Sequence, residues 1–378
     1  MDIKYFDHAA TTKVKKEVLD AMVPYLSEEY GNPSSLYSLG QKAKNTIEDA
    51  REKIAEIINC NPLEIYFTGS GSEADNIAIK GYAYANKHKG NHIITSKIEH
   101  HAVLETCEFL ETQGFEITYL NVDECGIVDL RELENAIKEN TILVTIMFAN
   151  NEIGTIEPVK EISDICKKHN VVFHTDAVQT FGNTKIDVKE LGFDMMSISA
   201  HKIYGPKGVG ALYVKSGIKF DKIINGGHQE RNKRAGTENV AGIVGFAKAA
   251  QIANDNITHN IEHLEEMRDY YISMIEKSIP ESYLNGDRDK RLPGNANFSF
   301  KGIKGDSLLF NLDLIGICAS SGSACTSGSL EPSHVLKAIN LNDELAKSSL
   351  RISFGNDNTM EDVEFLVKSV IKIINRLR

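Results

Sequence analysis

Ala43, Ile47, Ala50, Ile54 and Ile57 recur at helical spacing and predict a helix with one buried face. The pattern then changes to short apolar runs, each predicting a buried strand: Ile65–Thr68, His92–Thr95, Ile117–Leu120, Leu143–Met147, Val171–His174 and Met196–Ser199. Helical stretches separate them. One starts at Glu73 and carries Ile77, Ala78 and Tyr82; another runs from Pro158 to His169, with proline suited to a first helical turn. Strands alternating with helices from about residue 43 to 250 predict an α/β fold whose mostly parallel sheet is covered on both faces. Such sheets bind ligands beyond the carboxyl ends of their strands, so chemistry is expected there.

After about residue 250 the texture changes. A long charged helix over roughly 252–278 leads to a strand-like run, Ala296–Phe300, then to a loop of small residues, and the chain closes with a helix whose apolar face is Val363, Leu366, Val370, Ile373 and Leu377. The expected organisation is a large α/β domain over 15–252 and a smaller α+β domain built from 1–14 and 253–378, the latter carrying a mobile loop over 319–330.

Acidic residues outnumber basic ones by 53 to 42 among the 378, a formal net charge of −11. An acidic surface argues against general binding of nucleic acid or anionic membranes, while leaving room for one small anion in a local basic site. No run reaches the roughly 18 apolar residues that cross a bilayer. The opening MDIKYFDHAATT has no long apolar core and is not expected to be a signal peptide. A cytoplasmic protein is expected, with its cysteines at 60, 107, 125, 166, 318 and 325 as thiols. None of them pair at CxxC spacing, so no metal site is expected.

Four stretches carry candidate chemistry. Thr68-Gly69-Ser70-Gly71-Ser72-Glu73 lies between a strand and a helix. Its glycines let backbone N–H groups approach a ligand at the positive end of a helix, which suits a phosphate. Ser70 and Glu73 stand at capping-box spacing, so an ordinary capped helix would leave the same pattern. Asp176 follows the strand Val171–His174, either as a helix cap or as a carboxylate that keeps a heterocyclic nitrogen protonated. Lys202 follows Met196–Ser199, either as a solvated loop lysine or as an amine able to form a Schiff base with an aldehyde cofactor. Cys325 sits in Ser320-Ser321-Gly322-Ser323-Ala324-Cys325-Thr326-Ser327-Gly328, among small polar residues rather than the apolar neighbours of a structural cysteine. It reads as an accessible thiol or an incidental surface one. A phosphate-type helix start, an aspartate and a lysine at the strand ends of one predicted sheet favour a cofactor site over three coincidences.

With these stand further stretches: Asp7-His8-Ala9-Ala10-Thr11-Thr12, Gly31-Asn32-Pro33-Ser34-Ser35, Glu99-His100-His101-Ala102-Val103-Leu104, Asn150-Asn151-Glu152-Ile153-Gly154, Ser199-Ala200-His201-Lys202, Arg234-Ala235-Gly236-Thr237-Glu238-Asn239 and the run from Ser320 to Pro332. In this order the sequence resembles the class V aminotransferase group and, within it, the NifS/IscS-type cysteine desulfurases, over nearly its whole length. One stretch departs from that pattern: the helix-start loop reads Thr-Gly-Ser-Gly-Ser where the group more often has Thr-Ser-Gly-Ala-Thr, although Ser72 keeps a hydroxyl.

The resemblance implies fold type I of the pyridoxal-phosphate enzymes and a homodimer. It implies that Lys202 holds pyridoxal 5'-phosphate, that Asp176 pairs with the pyridine nitrogen and Gln179 with the phenolic oxygen, and that His100 stacks on the ring and moves protons. Gly71, Ser72, Ser199 and His201 would hold the phosphate, with Thr237 reaching in from the partner subunit. Asn151 and Arg351 would bind the carboxylate of L-cysteine; a guanidinium fork matches a carboxylate, although a surface ion pair is the plainer reading of Arg351. Cys325 would take the sulfur as a persulfide and pass it to an acceptor protein such as an iron–sulfur scaffold. Selenocysteine lyase, another lyase or aminotransferase of the group, and an inactive assembly subunit are the rival readings. A nucleotide-binding protein would need a complete phosphate loop, and neither Gly69–Glu73 nor Gly205–Gly210 supplies one.

Overall fold

The computed structural model describes residues 3–321 and 332–378. Its strands are β1 (Lys4–Tyr5), β2 (Ile65–Thr68), β3 (His92–Ser96), β4 (Glu116–Leu120), β5 (Thr141–Thr145), β6 (Val172–Asp176), β7 (Met195–Ser199), β8 (Gly210–Val214), β9 (Ser282–Leu284), β10 (Asn295–Phe300), β11 (Ile317–Cys318) and β12 (Ser349–Ser353). β2 to β8 form a seven-stranded sheet in the order β2-β8-β7-β6-β5-β3-β4. β8 runs antiparallel to both β2 and β7, and the remaining pairings are parallel. The expected mostly parallel α/β sheet is therefore present.

The apolar runs are unbroken because both faces of the sheet are covered. Successive side chains point to opposite faces, and two cores separate accordingly. Ile94, Val144, Met196 and Ala211 join one, with the helix Ser38–Ile57. Their neighbours Ile93, Leu143, Met195 and Leu212 join the other, with the helix His101–Thr112. A third core gathers Phe6 with Met267 and Tyr271 of the helix Ile257–Ser278, Phe298 of β10, Ile352 of β12 and the apolar face of the helix Met360–Leu377. Here β10 pairs with β9 and β12 in a three-stranded antiparallel sheet.

Some elements are displaced from their expected bounds. The charged helix at 252–278 is two helices, Val240–Asp255 and Ile257–Ser278, broken at Asn256. β5 ends at Thr145; beyond it Ile146 and Phe148 still donate to the His174 and Asp176 carbonyls of β6, while the Met147 N–H is taken by the Glu99 carboxyl (3.0 Å). β6 extends two residues further and ends on Asp176 itself. The helix expected from Glu73 starts at Gly71 and widens into a π turn over Ile77–Gly81. No described helix is long and apolar enough to cross a membrane.

Candidate active site

β2, β3, β5, β6 and β7 point the same way, so their carboxyl ends meet along one edge of the sheet. A cavity of about 150 Å³ opens there. Gly71, Ser72, His100, Asp176 and Gln179 line it, as do Ser199, His201, Lys202, Asn151 and Arg351. Ten candidate residues from scattered stretches thus share one cavity. Thr237 is exposed and lines no wall of it. Cys325 lies outside the described residues.

Each wall has a local cause. Asp176 ends β6 and is buried; its Oδ1 accepts the Val178 N–H (2.9 Å) in a tight turn, and no helix follows for it to cap. Burial raises its pKa, while His100 and Lys202 oppose the rise. A buried carboxylate of this kind is stabilised by a cation beside it. β7 ends at Ser199 and a single 3-10 turn, Ala200–Lys202, carries Lys202 into the cavity. The Lys202 ammonium donates to the carbonyls of Ala9 and Ala10, the latter at 2.8 Å. Gln179 Nε2 donates to the same Ala9 carbonyl (3.0 Å), so the segment 7–12 forms part of the wall.

His100 caps the helix His101–Thr112. Its Nδ1 accepts the Ala102 N–H (3.1 Å), which leaves Nε2 as the protonated nitrogen of the neutral ring. Burial lowers its pKa, Asp176 raises it and Lys202 lowers it. His201 is pulled down to about 4, by burial first and then by Lys202 and Lys207, so it is neutral as well. Its Nδ1 meets the Thr11 hydroxyl at 3.1 Å.

At the helix start, Ser70 Oγ accepts the Glu73 N–H (3.1 Å) as the capping spacing predicts. Glu73 does not complete the box. Its carboxylate takes the Gly69 N–H (3.0 Å) and the Arg234 guanidinium (2.7 Å). Arg234 thereby anchors the 234–239 stretch beside this loop. A side chain at Gly71 would lie 2.6 Å from Val178 Cγ2, so glycine alone lets the helix start face the cavity. Ser199 Oγ is buried beside it without a hydrogen-bond partner.

Arg351, in β12, is 1% exposed, which overturns the surface ion pair. One terminal nitrogen donates to Asp7 (2.8 Å) and the other to the Asn151 carbonyl (3.0 Å), while its Nε is buried without a partner. Asp75 also lines the cavity; its buried Oδ1 lies 3.7 Å from His174 Nε2, and burial followed by Asp176 raises its pKa. Sequence reasoning passed over Asp75, although it stands four residues after Gly71 and hence on the same helical face. It passed over the partner role of Asp7 because 344 residues separate the pair.

These features fit a small phosphorylated pyridine aldehyde. An amine for the aldehyde, a buried carboxylate for a ring cation, a flat neutral imidazole, and a glycine–hydroxyl pocket for a phosphate occupy different walls of one cavity. Residues 4–366 match the class-V aminotransferase family, and the chain belongs to it. Pyridoxal phosphate is the cofactor of that family. Among its relatives is a protein from Clostridium botulinum described as "Cysteine desulfurase IscS", 56% identical over 376 residues and covering 99% of this chain and 95% of its own. A solved "NIFS-LIKE PROTEIN" superposes with a TM-score of 0.94 at 38% identity, covering 99% of this chain and 100% of its own. A structure titled "SspA in complex with cysteine" superposes with a TM-score of 0.83 at 39% identity, over 93% of this chain and 98% of its own.

Proposed function

We propose that this chain is a pyridoxal-phosphate-dependent cysteine desulfurase that converts L-cysteine to L-alanine and moves the sulfur onto Cys325. The observation that carries the reading is the convergence of Lys202, Asp176 and Arg351 on one cavity from separate strands of two sheets. Lys202 holds the cofactor aldehyde through its amine. Asp176 keeps the ring nitrogen protonated and Gln179 faces the phenolic oxygen. Gly71, Ser72, Ser199 and His201 cradle the phosphate. When bound, the cofactor supplies an electron sink for charge left at the substrate Cα.

The chain's own residues do the rest. Arg351 and Asn151 fix the substrate carboxylate, with the unpartnered Arg351 Nε as an available donor. The Lys202 amine, once released, takes the Cα proton, and His100 relays protons through Nε2. The Cys325 thiolate attacks the substrate sulfur. An S–S bond forms and the carbon–sulfur bond of cysteine breaks. Its electron pair stays on the methylene carbon, which takes up one proton to become the methyl group of alanine. The sum is cysteine plus thiol giving alanine plus persulfide.

The working unit is a homodimer in the cytoplasm, with Thr237 of each subunit serving the partner's phosphate site; its exposure in the single chain is in keeping with that. The persulfide passes to an acceptor protein, with iron–sulfur cluster assembly as the pathway served. Measuring alanine and protein-bound persulfide from Cys325→Ala tests the central claim. Loss of persulfide supports it, and normal sulfur transfer would refute it in favour of a lyase that needs no such thiol.

A further inference from the structure

Residues 150–152 are a junction between the large sheet and the third core. The Asn150 side chain accepts the N–H groups of Glu152 (2.8 Å) and Ile153 (3.0 Å) and donates to the Ile98 carbonyl (2.8 Å). The Asn151 carbonyl accepts from Arg351 (3.0 Å). The Glu152 carbonyl accepts from Asn297 (3.0 Å), whose register partner across β10 and β12 is Arg351. The two residues flanking the Asn151–Arg351 contact are thereby locked through their own bonds.

The Glu152 side chain points elsewhere. It is buried, 2% exposed, and accepts a hydrogen bond from the Ser333 hydroxyl at 2.6 Å. Burial raises the Glu152 pKa, opposed by Ser333, Arg351 and His101. The same Ser333 oxygen accepts the N–H groups of Val335 (3.1 Å) and Leu336 (3.3 Å), so it also caps the short helix His334–Ala338. One residue on, His334 Nε2 donates to the Glu99 carbonyl (3.0 Å), next to His100. The His334 ring lies 4.8 Å from that of His101. Ser333 and His334 are thus pinned to the segments that carry Asn151 and His100.

Ser333 stands eight positions after Cys325. We propose that Glu152 and Ser333 are positioning residues for sulfur transfer, tying the chain just past Cys325 to the Asn151–Arg351 pair that orients the substrate. This rests on the reading of Cys325 as sulfur acceptor. The physical reason is effective concentration: fixing one point of a chain limits the volume that a group a few positions along it can sample. A buried carboxyl also loses heavily when its hydroxyl partner is removed, so the tie holds firmly. Glu152 and Ser333 do not line the cavity, so their role is to position and not to react.

The test uses the holoenzyme in a single turnover with cysteine. Persulfide on Cys325 is trapped by alkylation and followed by peptide mapping. Alongside it are measured the KM for cysteine, the absorbance change when cysteine binds, and the Tm. Ser333→Ala is expected to slow persulfide formation about tenfold, with KM within about twofold and an unchanged cysteine-induced spectrum. Ser333→Thr, which keeps the hydroxyl, restores the rate. Glu152→Gln, which keeps an acceptor oxygen, stays close to wild type, whereas Glu152→Ala behaves like Ser333→Ala. Transfer at the wild-type rate in Ser333→Ala overturns the proposal. So does a loss shared equally by cysteine binding, or one that Ser333→Thr fails to rescue, since either marks a merely structural residue. A Cys325→Ser control separates the two levels: if it transfers sulfur normally, the desulfurase reading itself fails, whatever Ser333 does.

Discussion

The two halves of the cavity are built on different plans. The half we assign to the cofactor takes Asp176, Ser199 and Lys202 from the ends of β6 and β7, adjacent strands of one sheet, and its geometry follows from the backbone ladder between them. The half we assign to the substrate takes Arg351 from a different sheet, Asp7 from 344 residues away and the Asn151 carbonyl from 200 residues away. A site held by one sheet keeps its shape when neighbours change. A site held by two cores depends on how they dock. The proposed cofactor side therefore rests on contacts within one sheet, and the proposed substrate side on contacts between two sheets.

That division can be broken by experiment, beginning with the largest effect. Lys202→Ala should abolish covalent cofactor attachment and cut alanine production by about 10³-fold or more, read by absorbance and product assay. Turnover near wild type would mean the sheet edge does not hold the reacting group. Asp176→Asn should lower kcat by about 10²-fold and shift the cofactor spectrum, because a neutral amide no longer stabilises a ring cation. Arg351→Ala should leave cofactor content unchanged but raise the KM for cysteine about 10- to 100-fold, as loss of a charge-assisted contact predicts. It should also cost about 3 kcal/mol in denaturant titration, since Asp7 loses its partner. If Arg351→Ala shed the cofactor as Lys202→Ala does, the two halves would not be separable.

The last effect lies outside the cavity and is read as a slope with pH. Buried Glu157 is raised from 4.5 to about 8 by burial, with the Val128 N–H opposing. Between those values the folded chain keeps a proton that the unfolded chain has lost, so stability falls as pH rises through the window, by about 1.4 kcal/mol per pH unit. Glu157→Gln should remove that slope and leave an equal one from Glu99, which is also raised to about 8 by burial, beneath the cofactor half. Unfolding free energy measured across this range checks it; an unchanged slope would show that Glu157 stays ionised.

Six of the seven strands of the large sheet, all but β8, were legible because both faces are buried, which leaves unbroken apolar runs such as Ile93-Ile94. Lys202 and Asp176 were legible because parallel strands end on one edge, so position after a run already implies a place in the cavity. Bounds were less certain. Past the end of β5 the Met147 N–H goes to Glu99, a residue 48 positions away, and not to a strand. Glu73 carries capping spacing but turns to Arg234, a residue 161 positions away.

The sequence by itself determined the class of sheet, the edge at which chemistry occurs and the residue types able to hold a pyridine aldehyde. These depend on periodicity and on local turn chemistry, which neighbours along the chain dictate. Tertiary structure alone decided that Arg351 is buried against Asp7 and Asn151, and that Ser333 rests on Glu152. Those contacts join segments tens to hundreds of residues apart, and long-range pairing leaves no periodic trace in a single chain.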